Sequence, residues 1–190
     1  MRHYRLTSYF LLIAASIMLL TACGKTEYSN VRVYFEFDNS HHQNLTLAPA
    51  MDPVNSSIFC RIYRIDAGHI GIKNNQGVES PPVMMTAMER QNNIILGLYN
   101  ESGVIVGYGF TSVGGDMHEF YAYDAQCPNC YKEFNMPRYM LTLNSDGTAY
   151  CNKCKRTYSL KNGGYTDNGE KLLRYRATSA GPFGMLRINN

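Results

Sequence analysis

The sequence predicts an all-β protein with a small cysteine-bearing excursion set into it. Three observations carry that expectation. Strictly alternating apolar runs occur, as in Val31-Arg32-Val33-Tyr34-Phe35-Glu36-Phe37-Asp38, where Val31, Val33, Phe35 and Phe37 share one face. A strand turns successive side chains to opposite sides, so this alternation marks a half-buried strand. The chain also has 15 tyrosines and many β-branched residues, which suit a pleated surface. No long stretch repeats its apolar residues every three or four positions, the spacing of an amphipathic helix.

The elements follow in order. Arg2 and Arg5 give a basic start, Tyr9 to Leu20 is apolar, and Leu20-Thr21-Ala22-Cys23 closes the stretch with small residues. That is the pattern of a signal peptide over residues 1–22, and the apolar run is short for a span of about 20 residues. With a cysteine directly after it, the segment resembles a bacterial lipoprotein signal. The resemblance implies cleavage before Cys23, lipid on the Cys23 sulfur and new amino group, and attachment to a membrane. Gly24 follows where lipoproteins kept at the inner membrane carry Asp, which by the same analogy points to the outer membrane. Residues 23–30 then read as a tether and 31–190 as a single domain.

Removing 22 of the 190 residues leaves 168, one domain's worth. The leader takes two arginines with it, so 16 basic residues face 15 acidic ones and the net charge is +1. Such a balance makes no field for nucleic acid. No second apolar run is long enough to cross a bilayer.

Within the domain, Asn39 to Asn55 is polar, holds Pro49 and Pro53, and reads as a long loop. Ile58 to Ile65 reads as a strand, with Cys60 inside it as a small buried hydrophobe. Val83 to Arg90, with Met84, Met85 and Met88, fits a helical turn or a strand; the methionines read as core filling. Asn93 to Tyr99 and Val104 to Phe110 flank Asn100-Glu101-Ser102-Gly103 and predict a hairpin. Met117 to Ala125 is a strand that delivers the chain into the cysteines. Thr157 to Leu160 precedes the turn Lys161-Asn162-Gly163-Gly164, and Leu172 to Ala177 and Met185 to Asn189 finish the chain as strands.

Cys127/Cys130 and Cys151/Cys154 form two Cys-x-x-Cys pairs. Two such turns place four thiolates around one ion, the arrangement of a structural metal site. Backbone N–H groups in each turn stabilise thiolate charge. Lys132, Lys153, Lys155 and Arg156 lie close in sequence, and nearby cations are expected to lower thiol pKa values. Zinc is the expected occupant. Iron in the same cage would make a one-electron carrier resembling rubredoxin. A thiol–disulfide exchanger would also use a Cys-x-x-Cys, but the βαβ setting of such proteins is missing from the pattern.

The residues after the second pair add a second resemblance. Tyr158 follows Cys154 by four residues and Gly163 by nine, and Leu172-Leu173-Arg174-Tyr175 comes later. These offsets, with Asp124 leading into Cys127, resemble Rieske iron–sulfur domains over roughly residues 117–189. The chain is similar to Rieske-like bacterial lipoproteins that carry four cysteines. The resemblance implies an antiparallel β-sandwich with a metal-binding subdomain at about 124–164 and two Cys-x-x-Cys knuckles. A Rieske centre uses two cysteines and two histidines; here Cys154 and Asn129 occupy the histidine positions. A four-cysteine [2Fe–2S] cluster is thus the alternative cofactor, and electron transfer the alternative function.

The remaining residues point elsewhere. His41-His42 reads as solvated loop, and His69 and His118 as ordinary strand histidines. Carboxylates form no acid–base pair, and no Gly-rich loop opens a helix for a nucleotide. The expected function is therefore a non-catalytic, lipid-anchored envelope protein with a closed four-cysteine site, in binding or assembly with a protein partner that the sequence does not name.

Overall fold

The computed structural model describes residues 27–110 and 118–190. The signal segment and Cys23 lie outside the described residues. Eight strands form one antiparallel sheet: β1 (Tyr34–Asp38), β2 (Phe59–Arg64), β3 (His69–Asn74), β4 (Val83–Met84), β5 (Val104–Phe110), β6 (His118–Asp124), β10 (Arg174–Ser179) and β11 (Met185–Asn189). Their order is β1-β11-β10-β6-β5-β2-β3-β4. Three short strands, β7 (Thr142–Leu143), β8 (Thr148–Tyr150) and β9 (Thr157–Ser159), make a second sheet. The helices are brief: α1 (Asn39–His42), α2 (Ala87–Gln91) and α3 (Pro128–Phe134). The all-β expectation holds.

Alternation decides which side chains meet. On β1, Phe35 and Phe37 are fully buried while Glu36 and Asp38 are only half-buried. The central strands are covered on both faces, so both parities are apolar. Cys60 and Ile62 of β2, Val104 and Val106 of β5, and Ala122 of β6 enter one core. Phe59, Ile105, Tyr121 and Tyr123, the alternate residues on the same strands, enter a second core with the cysteines. The period of two in a strand thus splits the molecule into a sheet flanked by two apolar layers. Each fully buried Ile, Leu or Phe contributes about 1.5–3 kcal/mol.

The first core is closed by the segment 39–55, where a polar loop was expected. Leu47, Ala50 and Met51 from it are completely buried. The polarity that marks it as loop is used internally. Asn39 Oδ1 accepts from Asn44 N–H at 2.9 Å and Asn39 Nδ2 donates to the Pro182 carbonyl at 2.6 Å. Asn44 Oδ1 in turn accepts from the N–H groups of Thr46 and Leu47. Satisfied buried amides let a polar segment serve as a lid over an apolar core.

Two further expectations are corrected, and one strand is added. Asn93 to Tyr99 does not pair with β5, whose partners are β2 and β6. Left-handed backbone at Asn93 and Gly97 breaks the extended run, and only Ile95 bridges to Tyr34. Val83 to Arg90 splits in two: β4, then α2 behind a capping box in which Thr86 and Glu89 bond each other's backbone N–H. Met84 and Met88 are 65% and 74% exposed, and only Met85 fills core. Finally, β3 was not foreseen; its central Gly71 and Lys73 obscure an otherwise apolar run.

The cysteine lobe sits against β5 at a close approach. A Cβ at Gly109 would lie 2.4 Å from the Lys161 carbonyl oxygen, so only glycine allows the backbones this near.

Candidate metal centre

The end of β6 aims the chain at the site. Asp124 is fully buried; its carboxylate accepts from the N–H groups of Leu98 and Gln126, both at 2.7 Å, and from the Tyr175 hydroxyl at 2.6 Å. Burial raises its pKa, against the opposing effect of those bonds. Ala125 N–H then donates to Gly103 O, and Cys127 N–H to Tyr139 O at 2.8 Å. These bonds fix the backbone before the first thiol. Gly97 must be glycine for the same reason: its φ is +73°, and a Cβ there would fall 2.3 Å from Asp124 Oδ2.

Cys127 is the N-cap of α3, with Pro128 in the first turn and Cys130 three residues on. Residues three apart share a helix face, so both sulfurs point the same way. The second knuckle follows β8. Cys151 N–H donates to Arg156 O and Lys155 N–H to Cys151 O, both at 2.9 Å. Lys155 takes a left-handed conformation, φ +60°, to close this turn.

The four sulfurs converge. Cys127 Sγ lies 3.5 Å from Cys154 Sγ, and Cys130 Sγ lies 3.7 Å from Cys151 Sγ. All four lie within 4.8 Å of one another. A tetrahedral ion with metal–sulfur bonds of about 2.3 Å needs sulfurs about 3.8 Å apart, so the donor set fits a single ion. Both of these short contacts join different knuckles, which means an ion here would cross-link them. Cys127, Cys130 and Cys151 are buried and Cys154 is half-buried. None of the described cysteines is in a disulfide.

Electrostatics separate the thiols. Burial pushes the Cys127 thiol up to about 11, against the Cys130 N–H that bonds its sulfur. Burial also raises Cys130, with the neighbouring thiols adding to the effect. At Cys154 burial acts upward too, but the Arg156 N–H and the other three thiols outweigh it and the net shift is down. A backbone N–H and neighbouring sulfur account for that lowering. Lys153 lies over the rings of Phe134 and Tyr139, and Arg156 pairs with Glu170 at 2.7 Å. The buried Tyr158 hydroxyl is 3.6 Å from Cys127 Sγ. Burial and the adjacent Cys127 both raise its pKa, keeping it a neutral donor.

The other candidates stand apart from the cage. Cys60 is fully buried, donates to Thr46 O at 3.1 Å and has its thiol raised by burial. His69 pairs with Asp66. His118 packs at a tilt against Phe110 at the opposite end of β6 from Cys127. The side chain of His42, expected in solvent, is only 7% exposed: it stacks on Phe37 at 4.4 Å and bonds Glu89 at 3.0 Å. The sequence marks Asp124 only as the acidic residue leading into Cys127 and Tyr175 only as part of a returning strand, not as partners in one hydrogen bond. The available signal was a carboxylate in a strand otherwise bound for the core. Among the described residues, no helix is long and apolar enough to cross a membrane.

Comparison with protein-family models, with curated proteins and with solved structures gave no match to this chain.

Proposed function

We propose that this chain is a lipid-anchored cell-envelope protein in which Cys127, Cys130, Cys151 and Cys154 hold one structural zinc ion. The convergence of four sulfurs within 4.8 Å carries the reading. Four protein ligands leave no coordination position for water or substrate, so the site serves folding rather than catalysis. The role is then non-enzymatic, in binding or assembly at a membrane. Support for the anchor comes from Arg2, Arg5, the apolar run to Leu20 and the small residues before Cys23. A Rieske-like ancestry rests on the offsets of Tyr158 and Gly163 from Cys154.

Iron in the same cage is the second reading, because it accepts the same tetrahedral sulfur. A two-iron cluster is disfavoured by the geometry. It would divide the thiolates into two pairs spread apart over two metals, whereas here all four sulfurs lie within 4.8 Å of one another.

Elemental analysis with an absorption spectrum tests the proposal. One zinc per chain and no visible band are expected, with the ion lost in Cys154→Ser and retained in Cys60→Ser. Stoichiometric iron with a reversible colour change would replace zinc by the electron-transfer reading.

A further inference from the structure

The described chain starts at Glu27, beside the cysteine lobe. Lys171 Nζ donates to the Glu27 carbonyl at 3.4 Å, the Glu27 carboxylate pairs with Arg174, and Ser29 N–H donates to Arg174 O. Lys171 also borders a hollow of about 570 Å³ with Pro128, Asn129, Lys132, Tyr165 and Glu170. Pro128 and Asn129 are the two residues between the first pair of cysteines. The first metal knuckle and the start of the chain therefore share one side of the molecule.

Charge on this side is sorted. Glu27 is engaged by Arg174 and Glu170 by Arg156. Among the described residues, Lys132 and Lys171 have no carboxylate at ion-pair distance. Glu133 follows Lys132 on α3, but successive helix residues do not share a face. Tyr165 is 43% exposed between the two lysines. Two ammonium groups without a carboxylate partner and an amphipathic ring match a lipid headgroup layer, where tyrosine and lysine are favoured.

Distance supplies the second argument. Three residues, Gly24 to Thr26, separate Cys23 from Glu27, and the four residue steps reach at most about 14 Å when fully extended. The Debye length near physiological salt is about 8–10 Å. A lipid on Cys23 would thus hold Lys171 within or close to the field of charged headgroups.

We propose that the Lys132–Tyr165–Lys171 face lies on an anionic lipid surface, so that the first cysteine knuckle is turned toward the membrane. This rests on the lipid-anchor reading above. The test uses the full processed chain in nanodiscs, one set of equal phosphatidylglycerol and phosphatidylcholine and one of phosphatidylcholine alone. Lysines are labelled with an amine-reactive probe and read by mass spectrometry. Lys132 and Lys171 should label about fivefold less in the anionic discs, the effect of about 1 kcal/mol per surface lysine. Lys73, which pairs with Glu79 beside a different hollow, should not change. The mass of the N-terminal peptide is read in the same experiment. An unmodified Cys23 would overturn the anchor and the docking together. A lipidated Cys23 with equal labelling in both discs would overturn the docking alone. So would protection seen only in whole envelopes, which would give the face to a protein partner.

Discussion

The two apolar layers of this protein are held together by different means. The layer under α1 and the 39–55 segment is built from large side chains such as Phe35, Phe37, Ile62 and Leu186, each at most 1% exposed. It is continuous with an eight-stranded sheet and gains its stability from buried area. On the other face, the lobe between Ala125 and Leu172 has strands of two or three residues and one seven-residue helix. Elements that short are not stable on their own, and units of about 40 residues commonly need a metal or disulfide. Of the thirteen buried residues in the core on this face, the lobe contributes nine, and three of those are the cysteines themselves. A small layer therefore borrows from an ion and from Tyr121 and Tyr123 beneath it what the larger layer obtains from its own bulk.

Removing the ion should show this contrast most strongly. Apparent binding energies of structural zinc reach about 10–16 kcal/mol in small cysteine domains, comparable to the whole stability of many domains. A chelator should abolish amide-exchange protection in α3, β8 and β9 while β2, β5 and β6 keep theirs. Uniform loss, or none, would dissolve the distinction between the layers. Next in size, Ile62→Ala should cost about 2–5 kcal/mol by leaving a cavity. It should lower the unfolding midpoint with the metal content per folded chain unchanged. Loss of metal from the folded variant would mean that the layers are one unit.

The smallest effect belongs to Asp124, which lies at their junction. Its pKa is raised by burial, so the folded state keeps a proton that the unfolded chain releases near its ordinary value of about 3.9. Raising pH through the window above that value then costs stability. Asp124→Asn should be destabilised by about 1–3 kcal/mol at low pH, because an amide cannot accept all three hydrogen bonds. Its deficit should narrow as pH rises. A deficit that widens instead would show that those bonds outweigh burial and hold the carboxylate charged.

The sequence made the strands with clean alternation legible: β1, β2, β6 and β11 fall within the expected runs. The four cysteines were legible as well, since thiols at that spacing have few other uses. The 39–55 lid was not, because Asn39 bonds the Pro182 carbonyl 143 residues away while Asn44 holds the N–H groups of Thr46 and Leu47, and composition carries no partner. The hairpin failed at Asn93 and Gly97, whose positive φ ends the extended run, and the close approach of Asp124 to Gly97 is a tertiary contact that local sequence does not reveal. His42 was hidden because the carboxylate that buries it is 47 residues distant.

The rims of the large sheet carry a consequence of their own. At one side β4 has only two residues, directly after Pro81 and Pro82, which lack the N–H that an incoming strand would need. At the other, Tyr34 of β1 is already bridged to Ile95 by two bonds of 2.9 Å. Molecules crowded side by side at a surface would offer one another little open ladder for adding a strand. The fold is thereby guarded against polymerising edge to edge, a hazard that grows with local concentration.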